Sequence, residues 1–308
     1  MAEHTIDPSR IHHAWDATLE PTLRIADGDV VHFDILKAGH GQVEPGWDYS
    51  QTRFDFDTLY NLLGPVWVDG AEPGDALEVD VVALEPGEWG WCSVLPELGL
   101  LPDDFPEPFM RYFDLTQGDT TRLCDGVEIP IVPFLGTMGV LPDDIEHASP
   151  FPPHKGGGNV DTRHLTVGST LVLPVFREGA LFSCGDSHAA QGDGEVCVAA
   201  VECDMWATLR FRLRKGADIS TPRFRVDGAL TPRVDAGGYY GTMGIHADLM
   251  EGARTAVRGM IELVGAEHGV GREDAYVLCS LAGDLKIFEI VDAGVWNVGM
   301  TLPRSVFH

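Results

Sequence analysis

Pro73-Gly74-Asp75-Ala76-Leu77-Glu78-Val79-Asp80-Val81-Val82-Ala83-Leu84 begins as a turn and continues from residue 76 as a run alternating at period two. Pro and Gly preset the turn, and a period of two suits a strand with one buried face. Upstream, in residues 22 to 36, Asp27-Gly28 separates two β-forming runs, which predicts a β-hairpin. Downstream, strands are expected over 171–176 and over 196–202, the latter apolar enough to be buried on both faces. Between Thr208 and Arg214 the apolar Leu209, Phe211 and Leu213 alternate with Arg210, Arg212 and Arg214. That puts three guanidinium groups on one face, which reads either as a solvated face paired with acidic neighbours or as an intersubunit or anion contact. Thirty-six glycines and twenty prolines scattered among short Val- and Leu-rich runs reinforce a mainly β class, a sandwich or a barrel.

The pattern changes after about residue 235. Asp248-Leu249-Met250-Glu251 has the form of a capping box, and Leu249, Ala253, Ala256, Met260 and Val264 recur at helical spacing as far as Gly265. A second helix is expected over 272–282, stopping at Gly283, followed by strands over 285–291 and 295–301. The expected organisation is a β domain over 1–235, carrying most of the active site, and an α+β domain over 236–308.

With 308 residues the chain can bury a substantial core. Its 21 basic and 48 acidic residues give a net charge of −27, a field that repels phosphate backbones and anionic headgroups, so neither nucleic acid nor membrane is an expected partner. Four Lys against seventeen Arg, with 29 Asp against 19 Glu, fit either a high-salt (halophilic) cytoplasm or an acidic protein from a GC-rich genome. The six cysteines, at 92, 124, 184, 197, 203 and 279, show no paired spacing that signals zinc or a disulfide framework. No leader-like start and no apolar run of ~18 residues is present, so the expected location is cytoplasmic.

Polar chemistry concentrates between residues 154 and 195. His154-Lys155-Gly156-Gly157-Gly158-Asn159-Val160-Asp161 sets three glycines before two oxygen-bearing side chains, which permits close backbone approach to a ligand. Gly185-Asp186-Ser187-His188-Ala189-Ala190-Gln191-Gly192-Asp193-Gly194-Glu195 then packs five polar groups among small residues. Asp161, Asp186 and His188 offer the oxygen and nitrogen donors that suit a divalent ion with one position left for water. The plainer reading is a set of Asp-Gly turns. Cys184 with His188 would be a nucleophile and base, but Leu181-Phe182-Ser183-Cys184 reads as a strand end where a small buried Cys is usual. His12-His13 is either a further site contribution or a solvated lead-in, and Pro133 to Val140 either lines a pocket or crosses the core.

An ordered series of segments resembles the acetamidase/formamidase family. His-Ala-Trp-Asp at 13–16, Gly-Asp at 28–29, Gly-Gln at 41–42 and Gly-Pro-Val-Trp-Val-Asp-Gly-Ala-Glu-Pro-Gly-Asp-Ala-Leu at 64–77 come first. Pro-Phe-Leu-Gly at 133–136, Gly-Gly-Asn-Val-Asp at 157–161, Gly-Ser-Thr-Leu at 168–171 and the long run from Gly179 to Val196 follow. Ala-Tyr-Val-Leu-Cys-Ser at 275–280, Asp-Leu-Lys-Ile at 284–287 and Val-Asp at 291–292 complete it. The resemblance implies a jelly-roll-like β-sandwich joined to a smaller α+β part, homo-oligomeric assembly, a bound divalent ion (zinc first, calcium second), and hydrolysis of formamide or acetamide to carboxylate and ammonia. Asp161, Asp186 and His188 are then the expected ion ligands. Glu195, His188 and Asp193 are the expected catalytic groups, and Asn159 and Gln191 the expected substrate contacts. The alternative is a non-catalytic sandwich that only binds a small ligand or metal.

Overall fold

The computed structural model describes residues 1–52, 54–227, 237–289 and 296–308. Two compact units emerge, each built from separate stretches: Met1–Gly87, Pro133–His188 and Glu202–Ala229 in the first, and Glu88–Val132, Ala189–Val201 and Leu230–His308 in the second. The boundary expected at residue 235 lies outside the described residues.

Apart from a 3-10 turn at Pro8–Arg10, the regular elements among the described residues of the first unit are β-strands. Its strands include β1 (Glu3–Ile6), β2 (Val30–Ile35), β3 (Leu62–Val68), the start of β4 (Ala76–Val94), β5 (Phe134–Val140), β6 (Gly157–Asn159), β7 (Ser169–Pro174), β8 (Phe182–His188) and β9 (Glu202–Arg214). The order β6-β5-β8-β9 runs through the part that matters for chemistry. Phe33 of β2, Phe182 of β8 and Phe211 of β9 are fully buried, with ring centroids 5.0 to 6.4 Å apart, and form the aromatic heart of this unit. Each fully buried aromatic of this kind stabilises the unit by about 1.5–3 kcal/mol relative to exposure.

β4 begins at Ala76, directly after the predicted turn, and Asp75 closes that turn by accepting the backbone N–H of Glu72 at 2.8 Å. The three arginines of β9 face acidic groups of β4. Arg210 and Arg212 reach Asp80 at 2.8 Å, and Arg212 and Arg214 reach Glu78 at 3.1 and 3.2 Å. Of the two readings of that face, pairing with acidic neighbours is the one realised.

The expected hairpin over 22–36 does not form. Its turn does, with Gly28 at φ 88° and its N–H donating to the Phe211 carbonyl at 2.8 Å, but the flanking strands part company. Leu23–Ile25 runs parallel to β3, while β2 lies between β1 and β9. Which strands the two runs pair with is a choice that local turn chemistry does not encode. The expected strand over 196–202 is buried except at the half-buried Val198, yet 196–201 is not a strand: Glu195 and Val198 take φ of 40° and 73°, and regular pairing starts only at Glu202.

The second unit holds the C-terminal α+β part. It comprises β10 (Tyr239–His246), α1 (Leu249–His268), α2 (Arg272–Ala282), β11 (Asp284–Glu289) and β12 (Trp296–Pro303), with β12 central in a three-stranded antiparallel sheet. Asp248 caps α1 by accepting from the N–H groups of Met250 and Glu251. Ala253, Ala256, Val257, Met260, Ile261 and Val264 form its buried stripe. The helix continues past Gly265 and ends at Gly269, whose φ of 67° supplies the left-handed cap. α2 keeps its expected bounds and stops at Gly283. The mainly β class with a smaller C-terminal α+β part is thus the fold observed. No described helix is long and apolar enough to cross a membrane.

Candidate active site

Strand β8 ends in Gly185-Asp186-Ser187-His188, and every residue of it is buried. Antiparallel pairing with β5 sets Phe134 against His188, Leu135 against Ser187 and Thr137 against Gly185, so the register puts Gly136 opposite Asp186. Asp186 leaves the extended region there, at φ 52°. On the other side of β5, β6 pairs Thr137 with Asn159 and leads to Asp161, itself at φ 41°. The Gly136 carbonyl accepts the N–H groups of Val160 and Asp161 at 3.0 and 3.2 Å, which anchors that bend. Two non-glycine residues in the left-handed region cost of order 1–3 kcal/mol each, a strain the surrounding pairing must hold.

The outcome is a convergence of side chains in the first unit. His188 Nε2 lies 3.4 Å from Asp186 Oδ1 and 3.2 Å from Glu202 Oε2, and His188 Nδ1 lies 3.8 Å from Asp161 Oδ1. His188 is 1% exposed, Asp186 4% and Glu202 6%, while Asp161 is the open member at 22%. Phe134 meets the imidazole edge-on at 5.1 Å. Burial opposes a charged imidazole, yet the carboxylates of Glu202 and Asp186 outweigh it and raise the His188 pKa well above its ordinary value. Negative charge buried at this density requires a cation, whether a proton on His188 or a metal ion.

The donor set fits a divalent ion. One ligand atom from each of Asp161, Asp186 and His188 falls within a 4.8 Å cluster. Gly136 keeps the space between them clear: a Cβ there would stand 2.5 Å from Asp161 Oδ1 and 2.8 Å from both Asp186 Oδ2 and His188 Cε1. Oxygen donors with one imidazole nitrogen are a set that zinc accepts readily.

Two participants escaped sequence reasoning. Glu202 pairs with His188 in register across β8 and β9, and its one sequence signal was a carboxylate closing the apolar run 196–201. Gly136 stands in the sequence only as one glycine of the stretch from Pro133 to Val140, read either as a pocket lining or as a core crossing, because its role depends on residues 25 and more positions away.

Asn159 is 9% exposed and engaged at both ends of its amide: its oxygen accepts from Thr137 Oγ1 at 2.8 Å and its nitrogen donates to the Phe151 carbonyl at 3.0 Å. It ties β6 to β5 and retains one N–H for other use. Gln191, Asp193 and Glu195 belong to the second unit. There the Asp193 backbone N–H donates to Asp284 Oδ1 at 3.1 Å and its carbonyl accepts from Leu285 N–H at 2.8 Å, while Gly192 N–H reaches the Ser280 carbonyl at 2.7 Å. Gly192 allows that approach, since a Cβ would collide with the Gly283 carbonyl. Gln191 is buried and Glu195 partly exposed.

Cys184 is fully buried within β8, and burial pushes its thiol well above the ordinary range, which removes the thiolate a nucleophile needs. His12 bridges the Ala14 carbonyl at 2.8 Å and Ser183 Oγ at 3.1 Å, and burial lowers its pKa. His12 and His13 line a cleft of about 510 Å³ with Asp16, Asp57 and His147.

A family model described as the Acetamidase/Formamidase family matches residues 2–149 and 144–308. Acetamidase from Mycolicibacterium smegmatis is 26% identical, over 67% of this chain and 66% of that protein. Formamidase from Methylophilus methylotrophus is 27% identical, over 61% of this chain and 60% of that protein. The chain therefore spans about two thirds or less of the length of these curated relatives. Among solved structures, the γ-lactamase from Delftia acidovorans superposes with a TM-score of 0.91 at 24% identity, covering 99% of this chain and 93% of that one, a likeness of fold. The acetamidase from Bacillus halodurans superposes with a TM-score of 0.69 at 27% identity, covering 97% and 96%.

Proposed function

The chain belongs to the acetamidase/formamidase family, and on that premise we propose that it hydrolyses short aliphatic amides, formamide and acetamide, to carboxylate and ammonia. The observation that carries the reading is the meeting of Asp161, Asp186 and His188 around the side-chain-free Gly136. We assign these three as ligands of a divalent ion, zinc before calcium. When bound, such an ion lowers the pKa of a water toward neutrality and polarises a carbonyl.

The chain's own groups supply the rest. An amide is a poor electrophile, so a proton must leave the attacking water and another must reach the departing nitrogen. We assign that transfer to Glu195, with Asp193 assisting, and the hold on the amide to Gln191 and the remaining N–H of Asn159. Glu202, 3.2 Å from His188, fixes the imidazole so that its nitrogen faces the ligands. A cytoplasmic homo-oligomer is the setting this reading assumes.

Ammonia release from formamide, acetamide and propionamide, measured before and after chelation and after adding back zinc, tests the proposal. Release that chelation stops and zinc restores is expected. A protein that binds one ion per chain yet frees no ammonia from any of the three would instead be the non-catalytic binding module.

A further inference from the structure

The sulfurs of Cys92 and Cys197 stand 3.8 Å apart, and both residues are fully buried. Both thiols also reach the Ala199 carbonyl, each at 3.6 Å. Separated by 105 positions in sequence, they lie in the second unit, Cys92 near the end of β4 and Cys197 on the stretch 189–201. A disulfide places its sulfurs about 2.05 Å apart, so closure asks for a shift of roughly 1.8 Å, shared between two side chains.

Cys197 differs from the other buried cysteines. Burial pushes up the thiols of Cys184, Cys203 and Cys279. It acts on Cys197 too, but hydrogen bonds with the Cys92 thiol and the Ser280 hydroxyl outweigh it and lower that thiol. Two thiols in contact, one of them lowered by its hydrogen bonds, have the arrangement of an attacking and a resolving cysteine. The burial of both excludes bulky oxidants such as a glutathione disulfide, and the acidic chain disfavours anionic ones.

We propose that Cys92 and Cys197 form a dithiol modification site for a small, uncharged two-electron oxidant of the peroxide class. The Cys197 thiolate attacks one peroxide oxygen, the O–O bond breaks and hydroxide leaves, which gives a sulfenic acid. The Cys92 sulfur then attacks the Cys197 sulfur, the S–O bond breaks, and the released hydroxide departs as water with the Cys92 proton. In sum two thiols are oxidised to one disulfide, and one peroxide is reduced to two waters. The new bond ties β4 to the stretch that carries Gln191, Asp193 and Glu195. Slower amide turnover in the oxidised form is expected, and this last consequence alone rests on the function proposed above.

The test treats the folded full-length protein with hydrogen peroxide, removes the peroxide, unfolds the protein in denaturant with an alkylating agent present and maps peptides without reduction. The expected result is a Cys92–Cys197 linked peptide lighter by two hydrogens, lost on dithiothreitol and absent from Cys92→Ser and Cys197→Ser. In Cys92→Ser, dimedone added as the peroxide-treated protein is unfolded should trap a sulfenic acid at Cys197. Wild-type protein whose Cys92 and Cys197 are both alkylated on unfolding after peroxide treatment in the folded state, or whose first disulfide joins other cysteines, overturns the proposal even if neither serine variant folds. Ammonia release is read on the same samples. A linked peptide in a protein that never releases ammonia removes the amidase reading and supports the dithiol; an active enzyme with both thiols free after peroxide does the reverse.

Discussion

His188 Nε2 lies 3.2 Å from Glu202 Oε2, and the two residues are register partners across β8 and β9. A buried carboxylate in that position orients the imidazole and raises its basicity. Glu202→Gln keeps the shape and removes the charge. At alkaline pH, zinc affinity measured by competition with a chelating dye should fall about 10- to 100-fold. The pH midpoint of ion uptake should move the other way from a simple loss of affinity. His188 must shed its proton to bind an ion, its pKa is held up by Glu202 and Asp186, and removing Glu202 lets that pKa fall, so with zinc supplied at the same multiple of each protein's own alkaline dissociation constant the midpoint shifts to lower pH. An unchanged midpoint would show that Glu202 does not act on His188.

Gly136→Ala tests the cleared space. The residue has no positive φ to lose, so the added methyl acts only through contact with Asp161 and Asp186 oxygens and His188 Cε1. Overpacking of this sort costs about 1–3 kcal/mol of stability, while the ligand geometry it displaces is far less forgiving. We expect a folded protein by circular dichroism with no bound zinc by elemental analysis. Full ion content in the variant would place the ion elsewhere.

Features set by neighbours in sequence were the readable ones. Asp248 as a helix cap, Gly283 as a helix stop, the turn before Ala76, and Asp161 with Asp186 and His188 as a donor set all follow from local chemistry or from the short list of residues that hold a metal. Features set by strand pairing were hidden. Glu202 becomes a partner of His188 only because β8 and β9 meet at their ends, and Gly136 matters only because its register partner is Asp186. For the same reason the strong turn at Asp27-Gly28 misled: β2 found β9, with Ile35 opposite Met205 and Val30 opposite Arg210. The run 196–201 shows a third limit, since apolar composition reports burial and says little about backbone shape once two residues adopt positive φ.

Glu195→Gln separates chemistry from ion binding. The side chain keeps its size and loses the ability to carry a proton. Removing a positioned acid–base group typically costs about 10²- to 10⁴-fold in rate. Ammonia release from acetamide should drop within that range while zinc content stays at the wild-type level. Wild-type turnover would pass the role to another carboxylate, with Asp193→Asn the next variant to measure.

His154 gives the protein an acid sensitivity that can be located. Its Nδ1 accepts the Gly156 N–H at 3.1 Å, and its ring packs edge-on to the buried Trp15 at 4.7 Å. Burial lowers its pKa to about 4, against an ordinary value of 6.5. The unfolded chain therefore takes up a proton on this side chain below pH 6.5 while the folded chain waits until about pH 4. Stability is unaffected above pH 6.5, falls progressively between 6.5 and 4, and levels off below 4 as far as this group is concerned. Because the ring is partly exposed, the loss across the window is about 1–2 kcal/mol rather than the full value of the shift. Urea unfolding followed by tryptophan fluorescence at pH 7.5 and pH 4.5, in wild type and in His154→Gln, isolates it. The variant keeps an acceptor near the Gly156 N–H and cannot titrate, so its stability gap between the two pH values should be smaller by that amount. Equal gaps in the two proteins would assign the acid sensitivity to other groups, with the carboxylates around His188 the next to test.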